Sequence, residues 1–405
     1  MISRRNLLAS LPALTASAAA FAQRPGGAPR RYDLLVRNGT VLDPSRAFKK
    51  KADVAMVDGA IVAIEETIAP ERAIETIDAS GLFVTPGLVD LHTHCYHSAS
   101  PLGIEADPVA ARSGVTTWVD AGSFAVDQVA GFRRFIVQPS HARIYGYLYL
   151  YANSRNPEAD FLKGVRAGLD ATGKAVVDNR DILLGIKLQV GSNMNGRYSL
   201  DLLKMARELC DKFKLPLMAH ISFAPPETTE VMELLRPGDI VTHAYNGHTL
   251  GIISHADGRL KPGVAEARAR GVWFDLGHGL GSFNFAAARK CLNAGFLCDT
   301  ISTDIYNLNV KGPVYDMTTT MSKLLHLGMS FDDIVLRTTA TPARIVNRLA
   351  GMGTLTVGGP ADVALLALED GEFRLVDSQR NTEIAKRRIV SKLTICKGRK
   401  MPAVV

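Results

Sequence analysis

Apolar and polar positions change their rhythm twice along the chain. From Tyr32 the apolar runs are short and end in turn residues. Asp33-Leu34-Leu35-Val36-Arg37 is followed by Asn38-Gly39, Asp53-Val54-Ala55-Met56-Val57 by Asp58-Gly59, and 61–64 forms a third run. Asn-Gly and Asp-Gly accept the left-handed torsions of a tight turn, so both pairs predict hairpins in a small antiparallel unit. The last part of the chain has the same texture. Gly358-Gly359-Pro360-Ala361-Asp362 leads into an apolar run at 363–366, and another lies at 389–395. The expectation is one small β-sandwich domain built from both chain ends, residues 32–83 with 346–405.

Between 84 and 345 short apolar runs alternate with helical patterns. Eight strands are expected near 87–93, 116–120, 144–150, 182–188, 217–221, 240–244, 272–276 and 298–303. Helical periodicity separates most of them, as at 202–213 and 264–269. Strand–helix alternation predicts a parallel sheet, and eight units predict an α/β fold of the (β/α)8 TIM barrel type. Neither a GxGxxG nor a Walker A motif is present to support an open nucleotide-binding sheet.

Composition narrows the class. The 405 residues are 47% hydrophobic and 21% charged, which is globular rather than disordered. The net charge of +7 is spread out, with basic runs only at 49–51 and 386–388. A mildly basic surface is expected, and no nucleic acid. The five cysteines form no CxxC pair, which excludes a disulfide framework and a cysteine-type zinc site. At the start, Ser3-Arg4-Arg5-Asn6-Leu7-Leu8 precedes a short apolar stretch containing Pro12, and Ala20-Phe21-Ala22 offers a small-x-small cleavage site. Residues 1–22 therefore predict a twin-arginine signal peptide and export to the periplasm, followed by a linker at 23–31. No later segment reaches membrane-spanning length, so no stable membrane insertion is expected after processing. A homo-oligomer stays open.

Catalytic groups of such a barrel sit at the C-terminal strand ends. Asp90-Leu91-His92-Thr93-His94 ends the first expected strand, and two imidazoles two residues apart on one face can chelate an ion. Lys187 lies in the apolar run Leu183-Leu184-Gly185-Ile186-Lys187-Leu188. A buried ammonium there needs a carboxylate partner or a route to solvent, or else the amine is carboxylated into an anion able to bridge two metals. His220 and His243 end two consecutive strands. Asp304 follows the eighth, where a carboxylate can bind a metal and take a proton, or simply cap a helix.

This order, His-x-His, Lys, His, His, Asp on strands one, four, five, six and eight, resembles the binuclear type of the amidohydrolase superfamily. The lead-in Asp78-Ala79-Ser80-Gly81-Leu82-Phe83-Val84-Thr85-Pro86-Gly87-Leu88-Val89 is similar too. So are Gly114-Val115-Thr116-Thr117-Trp118-Val119-Asp120-Ala121-Gly122-Ser123, Gly277-His278-Gly279, Thr341-Pro342-Ala343-Arg344 and Gly359-Pro360-Ala361-Asp362-Val363-Ala364. In detail the chain resembles the deacetylase-like branch, often labelled dihydroorotase or adenine deaminase. The resemblance implies two divalent ions, with zinc as the default. His92, His94 and Asp304 would hold one, His220 and His243 the other, and a carboxylated Lys187 would bridge them. It implies a hydrolase using a metal-bridging hydroxide, with Asp304 as general base and then acid. The expected reaction is deacetylation of an N-acyl-amino acid or an acylated hydroxy acid, both small molecules. Ring opening of a cyclic amide is the second reading, and a non-catalytic pocket-binding protein the third. Substrate contacts are expected from loops after the strands, at His278, Asn246, Arg197 and Tyr149, with Arg155, His248 and Ser282 as further candidates.

Overall fold

The computed structural model describes residues 31–150 and 161–402. The expected signal peptide, all but the last residue of the linker, and Arg155 lie outside the described residues.

Seven parallel strands form the central sheet: β1 (Leu88–Thr93), β2 (Val115–Ala121), β3 (Arg143–Tyr149), β4 (Leu183–Val190), β5 (Leu217–Ile221), β6 (Ile240–Thr242) and β7 (Trp273–Asp275). Helices such as Ala106–Ser113, Ser199–Phe213 and Val264–Ala269 run between them. The helical stretch Ser199–Phe213 buries Leu202, Leu203, Ala206, Leu209 and Cys210, the i, i+3, i+4, i+7 stripe of a helix lying on a sheet.

The expected eighth strand is not a continuous strand. An extended segment closes the barrel through isolated bridges, Thr300 to Asp275 on one side and Ile305 to Thr93 on the other. Backbone N–H groups of Leu276, His278 and Gly279 donate to Thr300, Ser302 and Thr303, while Asp304 N–H donates to the His92 carbonyl. Asp304 adopts φ +47°, a left-handed turn that breaks strand geometry while leaving the barrel closed. The buried Asp90 accepts from Thr303 N–H at 3.0 Å and from Thr303 Oγ1 at 2.6 Å, and so ties the closing segment to β1.

A buried apolar layer of Val89, Leu91, Val119, Tyr147, Leu184, Met218 and Ile240 is plugged by Ala343, Val346 and Met352. Met218 Sδ lies 3.6 Å from Lys187 Nζ, so this dry layer ends directly at the candidate ligands.

Two further sheets flank the barrel. One holds Ala60–Glu65, Asp53–Val57, Tyr32–Arg37 and Ala73–Asp78. The other runs Arg399–Lys400, Thr382–Cys396, Val363–Val376, Phe83–Pro86, Thr40–Asp43, Phe48–Lys51 and so joins both chain ends. Leu34, Val36 and Met56 of the first pack against Val41, Val84, Val363, Leu365 and Ile395 of the second. Asp58-Gly59 makes the expected hairpin. Asn38-Gly39 does not: the strand before it pairs in the first sheet and the strand after it in the second. The chain changes sheets there because it passes close to Phe83–Pro86, and a Cβ on Gly39 would overlap Val84 Cγ2. The first sheet is also mixed, since Tyr32–Arg37 runs parallel to Ala73–Asp78. Among the described residues no helix is long and apolar enough to cross a membrane.

Candidate metal centre

All six candidate ligands line one cavity of about 790 Å³ at the C-terminal end of the barrel. His92 lies within β1 and His94 just beyond it; Lys187 is in β4 and His220 in β5. His243 follows β6, and Asp304 sits in the closing segment. One ligand atom each from His92, His94 and Asp304 falls within a 4.8 Å span. Asp304 Oδ1 is 3.3 Å from His92 Nε2 and 3.2 Å from His94 Nε2. The rings of His220 and His243 are 4.2 Å apart, and His243 is 5.1 Å from His92. Lys187 Nζ lies 3.1 Å from His92 Nε2.

The groups behind the histidines decide which ring nitrogen faces the cavity. His243 Nδ1 is 2.6 Å from the Gly277 carbonyl, which only accepts, so Nδ1 carries the proton and Nε2 keeps its lone pair. Thr242 Oγ1 donates to Asp275 Oδ2 at 2.7 Å, and its lone pair then accepts His92 Nδ1–H at 2.8 Å. His94 Nδ1 is 2.8 Å from Ser123 Oγ. Three imidazoles thus carry a hydrogen-bond partner on Nδ1, the arrangement that orients metal-ligating histidines. Buried His220 Nε2 has no hydrogen-bond partner among the described residues, as expected of a group awaiting an ion.

Burial, then neighbouring cations and imidazoles, holds His92 and His220 well below the usual histidine range. Burial also draws His243 down to about 4, against the opposing pull of Asp304. These rings are neutral at physiological pH, the form that binds a metal. Lys187 is 2% exposed and, among the described residues, no carboxylate lies within ion-pair distance of it. Burial lowers it to about 8 despite Asp304, Asp275 and Asp120 nearby. The donor set therefore fits divalent ions: neutral imidazoles, one carboxylate and a buried amine short of a counter-charge.

The expected substrate contacts divide. Tyr149, His248 and Ser282 line the cavity. Tyr149 Oη donates to Gln189 Oε1 at 3.1 Å, and the His248 ring lies 4.1 Å from Phe223 at the rim. His278 does not face the cavity. Its buried ring stacks on Phe283 at 4.7 Å, with Nε2 2.7 Å from Lys323 Nζ. Asn246 is also buried, its Nδ2 donating to the Ile221 and His243 carbonyls, so it braces the β5 and β6 ends. Arg197 is exposed outside the cavity lining, over the Tyr198 ring with a 2.8 Å bond to Tyr198 Oη.

Sequence reasoning missed Ser123, Thr242 and Asp275, which act behind the ligands, and Gln189 and Tyr306 in the cavity wall. Thr242 carried a signal, a hydroxyl directly before a strand-end histidine. Asp275 carried another, a lone carboxylate closing an apolar strand.

Comparison with known proteins agrees with this geometry. The model of the amidohydrolase family matches residues 83–401. A deacetylase of Agrobacterium fabrum is 34% identical over 336 residues, 82% of this chain and 81% of its own length. A deacetylase of Enterococcus faecalis is 33% identical over 372 residues, 91% of this chain and 98% of its own. Among solved structures, one described as an adenine deaminase aligns with TM-score 0.82 at 32% identity, covering 91% of this chain and 99% of its own. One described as a dihydroorotase aligns with TM-score 0.81 at 30% identity, covering 91% and 97%.

Proposed function

The chain belongs to the amidohydrolase family and is a metal-dependent hydrolase, and from that premise we propose that it is a two-metal deacetylase. Its substrate in this reading is an N-acyl-amino acid or an acylated hydroxy acid. The observation that carries the proposal is the convergence of His92, His94, Lys187, His220, His243 and Asp304 on one cavity, with three histidines locked from behind.

His92, His94 and Asp304 would hold one ion, and His220 and His243 the second. Lys187, carboxylated on Nζ, would supply the bridging anion. Its buried amine suits that modification, because only the neutral amine attacks carbon dioxide and burial enlarges the neutral fraction. Bound divalent ions, zinc in this proposal, would acidify a water molecule and polarise the scissile carbonyl. Asp304 takes the proton as the oxygen of water bonds to the carbonyl carbon. It returns that proton to the departing nitrogen or oxygen as the acyl bond breaks. Tyr149, Gln189, Ser282 and His248 offer neutral hydrogen-bonding groups around the substrate.

The dihydroorotase-like structure supports a second reading, ring opening of a cyclic amide. The relatives named deacetylases span most of this chain, which favours the acyl-transfer reading. A hydrolysis screen of N-acetyl-D- and N-acetyl-L-amino acids, acetylated hydroxy acids and cyclic imides separates the two. Acetate release supports the first reading, and turnover of imides alone overturns it. Elemental analysis is expected to find two divalent ions per chain; a metal-free protein without turnover would leave a pocket-binding protein instead. The leader pattern at Ser3 to Leu8 supports export to the periplasm, which fractionation of cells making the full chain tests.

A further inference from the structure

The carboxylate assigned to proton transfer sits on an unusual backbone. Asp304 has φ +47°, a region that non-glycine residues enter only when their surroundings over-determine it. Its N–H donates to the His92 carbonyl at 2.6 Å, which ties it to β1. Its carbonyl is held from the other side by Asn309, whose Nδ2 donates to it at 2.8 Å. The other arm of the same amide accepts from Tyr306 N–H, also at 2.8 Å. Asn309 is itself fixed: its N–H donates to the Tyr306 carbonyl at 3.1 Å, and its own carbonyl accepts Gly312 N–H at 2.9 Å. It is fully buried and absent from the cavity lining, so it touches no substrate.

The chemistry of this clamp is specific. It needs a donor for the Asp304 carbonyl and an acceptor for the Tyr306 N–H, on one short rigid group. Asparagine supplies both. Alanine supplies neither, and an ionised aspartate would set an acceptor against the Asp304 carbonyl. Without the clamp the Asp304 carbonyl loses its side-chain donor, and among the described residues the next peptide keeps the bonds of Ile305, whose N–H donates to Thr303 Oγ1 at 3.1 Å and whose carbonyl accepts His94 N–H at 3.0 Å. Relaxation of the left-handed torsion would then shift the carboxylate relative to His92 Nε2 and His94 Nε2, and would move Tyr306, whose ring lies 5.9 Å from that of His94 in the cavity wall.

We infer that Asn309 is a positioning residue, which holds Asp304 in its left-handed conformation and so aims the proton-transferring carboxylate. This rests on the reading of Asp304 given above. The test uses the full chain as Asn309→Ala and Asn309→Asp, each alone and combined with Asp304→Asn. The expected result is a roughly 10- to 100-fold fall in kcat for each single Asn309 variant, with KM within about threefold, as for a misplaced reacting group. In the Asp304→Asn background the Asn309 changes should cost no further activity, because the group being aimed is already gone. The visible spectrum of the cobalt-loaded single variants should shift, since it reports the placement of the carboxylate without turnover. Losses that multiply in the double variant, or a folded Asn309→Ala protein with wild-type kcat and spectrum, would overturn the inference. If Asn309→Ala does not fold, Asn309→Asp has the same shape and carries the test. A fully active Asp304→Asn enzyme would instead defeat the proton-transfer reading, and the cobalt spectrum would still judge the clamp.

Discussion

Thr242→Val removes the hydroxyl that links His92 to Asp275 and keeps the shape of the side chain. Thr242 Oγ1 lies 2.8 Å from His92 Nδ1 and 2.7 Å from Asp275 Oδ2, and all three groups are buried. Asp275 also accepts from Thr300 Oγ1 at 2.6 Å and Ser302 Oγ at 2.7 Å, so it loses one of three hydroxyl donors. Among the described residues, His92 loses its sole partner on Nδ1 closer than the 3.7 Å approach of Asp275. A hydrogen bond to a charged group contributes about 1.5–3 kcal/mol. Loss of a group that orients a ligand imidazole typically weakens metal binding by roughly 10- to 100-fold, or about 1.4–2.7 kcal/mol. The first figure is the expected loss of fold stability and the second the expected loss of metal affinity. Competition of the metal-loaded protein against a chelator of known affinity measures it. Thr300→Val is the control, because it takes a hydroxyl from Asp275 without touching His92. Both variants should lose thermal stability, and only Thr242→Val should release metal 10- to 100-fold more readily. Equal metal affinity in the two variants would refute the claim that the histidines are poised from behind.

Lys187→Ala should lose bound metal and activity together, and millimolar formate or acetate should restore part of both; full metal content in the variant, by elemental analysis, would remove Lys187 from the site. Asp304→Asn should retain much of its metal and lose roughly 100- to 10,000-fold in kcat, the usual worth of positioned proton transfer, as read by steady-state kinetics. Lys323 is fully buried against His278, and burial lowers it to about 7 from 10.5. Between those values the unfolded chain binds the proton that the folded chain rejects, so stability should rise as pH increases from 7 toward 10.5. Lys323→Met should flatten that rise, by about 2 kcal/mol between pH 7 and 9 in denaturant titrations; identical slopes would show that Lys323 is charged in the fold.

The barrel was legible because its strands are buried on both faces and read as apolar runs. The expected run 217–221 coincides with β5, and helix 264–269 is found as expected. Boundaries slipped where the strands are short: β6 and β7 keep three residues each, since the chain turns into the site directly after them. The closing segment at 298–303 read as a strand because Thr300, Ile301 and Thr303 are β-branched, yet its hydroxyls at Thr300 and Ser302 serve Asp275 and Asp304 turns left-handed. Asn38-Gly39 misled for a related reason. Local turn chemistry says that the chain can bend there, while the partner of the next strand is set by Val84, more than forty residues later.

His243 and His278 show why one strand-end histidine reaches the cavity and another does not. Both follow an apolar barrel strand, and both are buried histidines. His243 directly follows β6, and a φ of +73° turns its ring toward His220. His278 comes three residues after β7, between Gly277 at φ +50° and Gly279 at φ +55°. Two left-handed glycines in three residues erase the alternation of the strand. The ring then packs on the face of Phe283, five residues on, and meets Lys323 Nζ, supplied by a distant part of the chain. His243, the first residue after its strand, therefore reaches the cavity, whereas the direction of His278, three residues past regular strand, depends on its packing partners.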